Sequence, residues 1–599
     1  MQHNIQGIKI FKGLKNDEDS KQIPMDYFFK IKNFTYSDTG LLGMNKMLMP
    51  KLITTFGSAV NIDGIVEYRF LNSSNVLVTE HIAVINGLIY KNILTTPALI
   101  SSTFAISPGK CTFAIFNDKL YIANGKDYVT IYDGNKGILY QMGAPEPEIL
   151  DVVGNLNGYY QWAVTYTTAG GEEIIGSYSD VIHPINQKAT LSLPIGYSGT
   201  LSRNIYRRTL AGTFYYVATV SDNTTLTYVD NIADGALTTP ISAANNELPK
   251  PYFLAVANQK LYGTVVDKYP TQVFITDTNV ELFDAAAGLD VANYGIDNTA
   301  VKGIEVDFNK IIIGTERNMI LIDPSTDTPI ITRANVGLKS GYSMKRLPAA
   351  GEFPGGVMFV SNLNDVRVMV GLQALPVSTS LDNVRADNWA QNIRGELERA
   401  LMASSNIHAE FYNYKYHLLV DYIQYIFDIR LMGWVKKDIQ TASYQSKPYV
   451  LGILNNKLYN GQVDGTLEQE YYEVQYKSED VEAYIESPHI EVGSRYAFIE
   501  KYKLWFLPGN NTDMNIQITL DENTAFTINQ DFTIRGGVFD ISYYNSDNYQ
   551  TDRNGMDYKV ININKLCRWL KYKLTCTIGN ISYQGFEIYS QDMSNKEVA

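Results

Sequence analysis

Six histidines (His3, His81, His183, His408, His417 and His489) and three cysteines (Cys111, Cys567 and Cys576) are the side chains from which a metal centre or a soft nucleophile would be built. The histidines are scattered. No two stand at helical ligand spacing, and no HExxH, CxxC, GxSxG elbow, P-loop or GxGxxG pattern occurs. Glycoside hydrolysis needs two facing carboxylates about 5 to 10 Å apart. The acidic pairs Glu172-Glu173 and Asp521-Glu522 are instead adjacent in sequence and sit at turn-like positions, as solvated loop charge does. Asp133-Gly134 and Asp464-Gly465 have the composition of hairpin turns, not the spacing of an EF-hand calcium loop. No catalytic, cofactor-binding or metal-binding residue is therefore nominated, and no enzyme activity is expected.

Two basic groups remain. Arg207-Arg208 reads as a solvated strand end, with a grip on a partner carboxylate as the alternative. Strand alternation across 565–574 puts Lys565, Cys567, Trp569, Lys571 and Lys573 on one face. Leu566, Arg568, Leu570, Tyr572 and Leu574 take the other. That pattern reads as a solvated outer face over a buried Leu face.

The elements that must position these residues are strands. The chain has 599 residues, room for several cores. It has 43 Tyr against 5 Trp and only 20 Pro, a balance that suits half-buried strands joined by many turns. The net charge of −13 disfavours duplex DNA as a tightly held ligand, because phosphate contacts need Lys and Arg. Three cysteines without a CxxC pair indicate buried free thiols rather than a disulfide framework or a zinc site. Met1–Lys21 is polar and lacks the apolar core of a secretory leader, and no run approaches 18 apolar residues, so neither a leader nor a membrane helix is expected.

One phrase recurs seven times: an apolar run, an Asn-rich turn, then an apolar-aromatic run. The clearest copies are Asn117-Asp118-Lys119-Leu120-Tyr121, Asn258-Gln259-Lys260-Leu261-Tyr262 and Asn455-Asn456-Lys457-Leu458-Tyr459. Weaker copies start at Asn86, Phe308, Asn362 and Asn413. Asn and Asp tolerate the positive φ of a tight hairpin, so each phrase predicts two antiparallel strands. From Asn258 onward the starts fall 50, 54, 51 and 42 residues apart, the period of a β-propeller blade.

The expected fold is mainly β: a propeller of six or seven blades carrying an inserted small β-sandwich and followed by a C-terminal β-domain. Residues 1–60 are an N-terminal docking segment, in which the apolar run Leu41–Met49 is either an arm for a partner or the start of the first sheet. Residues 61–145 and 246–475 hold the blades. The 141-residue gap between Asn117 and Asn258 exceeds one period by roughly a domain, so 146–245 is read as a fibronectin- or immunoglobulin-like insert. Its strands are Tyr159–Tyr166, Arg203–Arg208, Phe214–Ala218 and Thr225–Asp230. One helix, 387–404, is predicted from Trp389, Ile393, Leu397, Ala400 and Leu401 on one stripe. Residues 476–599 form the C-terminal β-domain.

In this order of parts the chain resembles the tail nozzle family of short-tailed phages, also called tail tubular or stabilisation proteins and, in crAss-like phages, the muzzle. The resemblance rests on the propeller phrase and on the run Arg203-Asn204-Ile205-Tyr206-Arg207-Arg208-Thr209 with Phe214–Ala218 and Thr227–Asn231. The helix before a late blade and the terminal Arg568–Lys573 and Gly585–Ile588 strands complete it. It implies a structural virion protein, a ring of six copies enclosing the DNA exit channel. Its partners would be its own copies, the tail hub or adaptor, and fibre proteins. Viral DNA would pass through the lumen without specific binding. The protein would be assembled in the host cytoplasm and sit in the virion tail, and no cofactor is implied. The competing reading is a propeller-type receptor-binding or glycan-binding or glycan-cleaving tail protein. Five widely spread Trp argue against that reading.

Overall fold

The computed structural model describes the chain except residues 1–3, 9–10, 17–18, 37–43, 58–59, 103, 142, 169–170, 197–199, 211, 242–247, 279–282, 284–287, 295–298, 309, 378–392, 474, 494–495, 509–511, 522, 535–556, 580 and 593–599. The chain is mainly β and propeller-like, built from four-stranded antiparallel meanders. Eight four-stranded sheets are present among the described residues, seven of them blade-like. They divide between two compact units, residues 63–341 and residues 1–62 with 342–599.

The Asn-rich turns behave as their chemistry dictates. Asn117 and Asp118 have φ of 48° and 57°, Asn258 and Gln259 47° and 58°, and Asn455 and Asn456 48° and 56°. Two successive positive φ values are the type I′ geometry whose twist matches a right-twisted hairpin. Asn86-Gly87 and Asn413-Tyr414 repeat it. At Gly87 only glycine fits, because a Cβ there would lie 1.9 Å from the Ile106 carbonyl oxygen. Phe308 is the exception. A bulky side chain holds φ of 48° at a hairpin tip and stays 72% exposed.

In the unit 63–341 the first four blades begin at Ile62–Leu71, Thr112–Phe116, Phe253–Ala257 and Val301–Asp307. Their inner strands are near-continuous apolar runs, such as Lys119–Ala123 and Lys310–Thr315, because both faces are covered. Leu120, Ile122 and Tyr132 of the second blade pack on Tyr68, Ile82 and Val84 of the first. Tyr121, Ala123 and Ile131 of the same blade pack on Leu254, Leu261 and Phe274 of the third. The second blade is thus filled from both sides, the stacking of a propeller.

Between the second and third blades lie two further sheets. One has three strands, ordered Glu146–Asn157, Ile185–Ser192, Thr227–Asp230; the other has four, ordered Gly171–Tyr178, Tyr160–Thr168, Ser202–Thr209, Tyr215–Val220. Trp162, Val164, Ala189, Leu191 and Ile205 from both share one core.

The second unit holds three blades, beginning at Lys345–Leu347, Ile407–Tyr412 and Pro448–Leu454. The seventh contains only three strands of its own. Its fourth is Met49–Thr55, paired antiparallel with Thr466–Glu473 from Thr55↔Thr466 to Met49↔Glu473. Other N-terminal strands join two six-stranded sheets built otherwise from residues 483–592. Asn4–Ile8 and Met44–Lys46 pair with Ile581–Asp592, and Lys30–Lys32 pairs with Ala483–Glu486. These two sheets share a core of Tyr502, Leu504, Ile516, Ile518, Leu570, Tyr572, Leu574, Tyr583 and Phe586. From Met44 onward the apolar N-terminal run is packed in this chain's own core through Met44, Met47 and Met49.

The helix spans Arg394–Ala403, with Leu397 and Leu401 buried and Ile393 buried at its start. The part of the expected helix from 387 to 392, with Trp389, lies outside the described residues. The lysine stripe is also corrected. The strand Asp557–Cys567 stops before Arg568, and a second, Trp569–Ile578, belongs to the other six-stranded sheet. Cys567 is buried with Leu570, Tyr572 and Leu574, and Lys565 shares no face with Lys571 and Lys573.

Replacing Phe308 by Asn should raise the stability of its unit by about 1 kcal/mol, because Asn tolerates the left-handed region that costs other residues about 1 to 2 kcal/mol. Asn258→Ala should lose a similar amount. Thermal melting of each variant checks the pair.

Candidate functional site

Chemistry-bearing side chains end in separate settings. His183 stacks on Tyr159 at 4.0 Å. His81 lies 3.8 Å from Glu67, His489 meets the Ser20 hydroxyl, and the His408 ring accepts the Leu451 N–H. His417 is fully buried beside Tyr471, and burial followed by the Lys415 charge pushes it down to about 3, so it stays neutral. His3 lies outside the described residues. No group of three or more His, Cys, Asp or Glu that would hold a metal occurs among the described residues. Cys111, Cys567 and Cys576 are buried free thiols. Burial pushes Cys567 up to about 12 and Cys576 to about 11, so neither is a thiolate nucleophile at neutral pH. Asp521 accepts the Arg568 and Trp569 N–H groups at 2.8 and 2.9 Å and so pins the turn between strands.

Arg207 is buried and turned into the chain, and Arg208 is half-buried. The Tyr160–Thr168 and Ser202–Thr209 strands pair Trp162 with Arg207. Both side chains reach Asp230 on the facing sheet: Arg207 donates at 2.7 Å and Trp162 Nε1 at 2.8 Å to the same oxygen, and all three are buried. The other Asp230 oxygen accepts the Ile232 N–H at 3.0 Å. Arg207 also donates to Asp234 at 2.8 Å. Arg208 lies over the rings of Tyr178 and Phe214 at 4.8 and 4.5 Å. Buried Arg203 donates to the Pro194 and Thr225 carbonyls. Arg207 holds one sheet to the other.

The densest group of buried polar side chains was not singled out from sequence. It lies in the sixth and seventh blades. Glu470 is bound to Lys437 and accepts Gln424 Nε2 at 2.8 Å and Asn460 Nδ2 at 2.9 Å. Glu468, on the same face of the same strand, accepts the Tyr476 hydroxyl at 2.9 Å. That hydroxyl in turn accepts Gln462 Nε2 at 3.3 Å. Glu468, Glu470, Lys437, Gln424, Asn460 and Gln462 are all at most 3% exposed. Burial pushes Glu468 up to about 7, the Tyr476 hydrogen bond opposes the rise, and the Glu470 charge adds to it. Burial would also raise Glu470, but the Lys437 charge together with hydrogen bonds from Lys437, Gln424 and Asn460 outweighs it and holds Glu470 below the usual carboxylate value. A group this sealed has the titration of a functional site without the access that a substrate requires. The one available signal was Glu468-Gln469-Glu470 inside a strand, where alternation gives both acids the same face.

No protein-family model and no curated protein matches the chain. Among solved structures it is similar to a computationally designed protein, Ika8 (11% identity, 71% of this chain, all of that one, TM-score 0.33). It is also similar to BamB from Moraxella catarrhalis (14%, 61% and 95%, 0.26) and to YCF48 bound to D1 peptide (8%, 75% and 99%, 0.30). Likeness at this level carries no argument about what the chain does.

Removing the acceptor shared by Arg207 and Trp162, as Asp230→Ala, should cost about 3 to 5 kcal/mol, the usual penalty for leaving a buried cation without its partner. Thermal unfolding followed by tryptophan fluorescence reads this. A loss below about 1 kcal/mol would mean that Asp234 and the Ile232 carbonyl suffice to hold Arg207.

Proposed function

We propose that the chain is a non-catalytic structural protein that closes into a ring, with the tail nozzle or muzzle of a short-tailed phage as the assembly it serves. In this reading the blades form one propeller, 146–245 is a fibronectin-like sandwich grafted on it, and 476–599 is a second β-sandwich. The observation that carries the reading is where the polar chemistry lies. Buried ionisable side chains are spent on holding strands together, sealed from solvent, as at Glu470–Lys437 and Arg207–Asp230. Catalysis needs such groups exposed to a substrate. The weaving of residues 4–55 into sheets made by residues 466–592 adds mechanical support, because neither end of that unit peels without breaking long-range pairing.

A closed ring is the usual way identical chains use one heterologous interface without running into a filament. The chain has 50 Lys and Arg against 63 Asp and Glu, a balance that lets phosphate slide past a wall of repeated copies. Hub, adaptor and fibre proteins would dock on the exposed loops of the blades and of the insert.

Native mass spectrometry of the purified full chain tests the assembly. A closed species at six times the 67.3 kDa chain mass is expected, with no retention of duplex DNA at physiological salt. A monomer at all micromolar concentrations, or turnover of a host polysaccharide, would overturn the reading and favour a receptor-binding protein.

A further inference from the structure

The strand Thr466–Glu473 has two neighbours. On one side it pairs with Lys457–Gln462, and on the other it holds the N-terminal strand Met49–Thr55. Glu468 itself stands opposite Asn460 on one side and Leu52 on the other. It shares its face with Glu470, two residues on, and both are buried. One ammonium, Lys437 of the neighbouring blade, is bound to Glu470. The next buried ammonium, Lys415, lies over the Tyr471 ring at 5.9 Å, and Glu468 has no ion-pair partner among the described residues. The groups that face Glu468 are the Tyr476 hydroxyl at 2.9 Å, the Asn460 amide at 3.5 Å, Glu470 of its own strand and the charge of Lys477, which sits over the Tyr476 ring. None of these neutralises a second buried carboxylate by direct ion pairing.

We propose that Glu468 is a proton-operated latch on the strand that holds the N-terminal segment: neutral, it lets Thr466–Glu473 pack fully and grip Met49–Thr55; ionised, it sets two like charges on one buried face and loosens that grip. The direction follows from linkage. The folded carboxyl titrates at about 7 against an ordinary value of 4.5, mainly through burial. A raised acid contributes its stability in full below the unfolded value and loses it as pH climbs to the folded one. The grip therefore weakens between about pH 5 and pH 7 and is level above that. His417, neutral throughout this range, does not generate the effect.

Hydrogen exchange of the full chain, read by mass spectrometry between pH 5 and pH 8.5 and corrected for intrinsic exchange rates, tests the latch. The opening constant of peptides covering Met49–Thr55 and Thr466–Glu473 should rise about 10- to 100-fold from pH 5 to pH 7.5 and then level. Glu468→Gln should flatten the curve. Tyr476→Phe, which removes the donor to the carboxylate, should move its midpoint to higher pH, a shift that a loss of packing alone would not give. A flat wild-type curve, the same rise in Glu468→Gln, or an unmoved midpoint in Tyr476→Phe would each overturn the proposal. The Tyr476→Phe midpoint decides the matter if the Gln variant does not fold.

Discussion

A four-stranded antiparallel meander has two apolar faces and cannot cover either of them alone. Most of this chain follows from that constraint. The second blade illustrates it, with Leu120, Ile122 and Tyr132 on one face taken up by the first blade and Tyr121, Ala123 and Ile131 on the other taken up by the third. Burial of that kind contributes about 25 cal/mol per Å² of apolar surface, and only stacking supplies it. The sequence can therefore vary freely in detail provided that every inner strand stays apolar on both faces and every turn closes tightly.

The same constraint decides where polar groups are tolerated. A strand buried on both faces has no wet side, so a polar residue placed there must find its partners inside. Glu470 finds Lys437, Gln424 and Asn460. Asp230 finds Arg207, Trp162 and the Ile232 amide. Such groups add little net stability over an apolar replacement, but their hydrogen bonds are directional and admit one register. In a chain made of similar blades, register and neighbour choice are what packing alone would leave ambiguous. Buried charge placed between strands distant in sequence resolves that ambiguity.

The turns were the most legible part, since Asn, Asp and Gly at hairpin tips report a local backbone requirement that nothing distant can change. All seven phrases fall on hairpins, including the one that starts with Phe308. The alternation of Leu570, Tyr572 and Leu574 was equally plain and is buried as expected, whereas Leu566 and Arg568, read on the same face, are exposed. The strand Glu146–Asn157 was not read, because Pro145 and Pro147 mark a boundary as readily as an edge strand. Arg207 was misread because a pair of arginines is ordinarily solvated, and its partner Asp230 lies on a different sheet.

What the sequence determined by itself was the class of structure: antiparallel strands, tight turns, the blade period and the absence of any spaced catalytic motif. These are properties of neighbouring residues and of their periodicity. What only the tertiary structure decided was closure. That Met49–Thr55 completes a blade made by residues 448–473, and that Asn4–Ile8 joins the last strand of the chain, leaves no local trace, because one strand edge accepts any other of compatible pleat. The two buried acids on Thr466–Glu473 likewise become a linked pair only when Lys437 and Tyr476 arrive from other segments. Backbone pairing carries no address in sequence; side-chain burial supplies one, and burial exists only once the chain is folded.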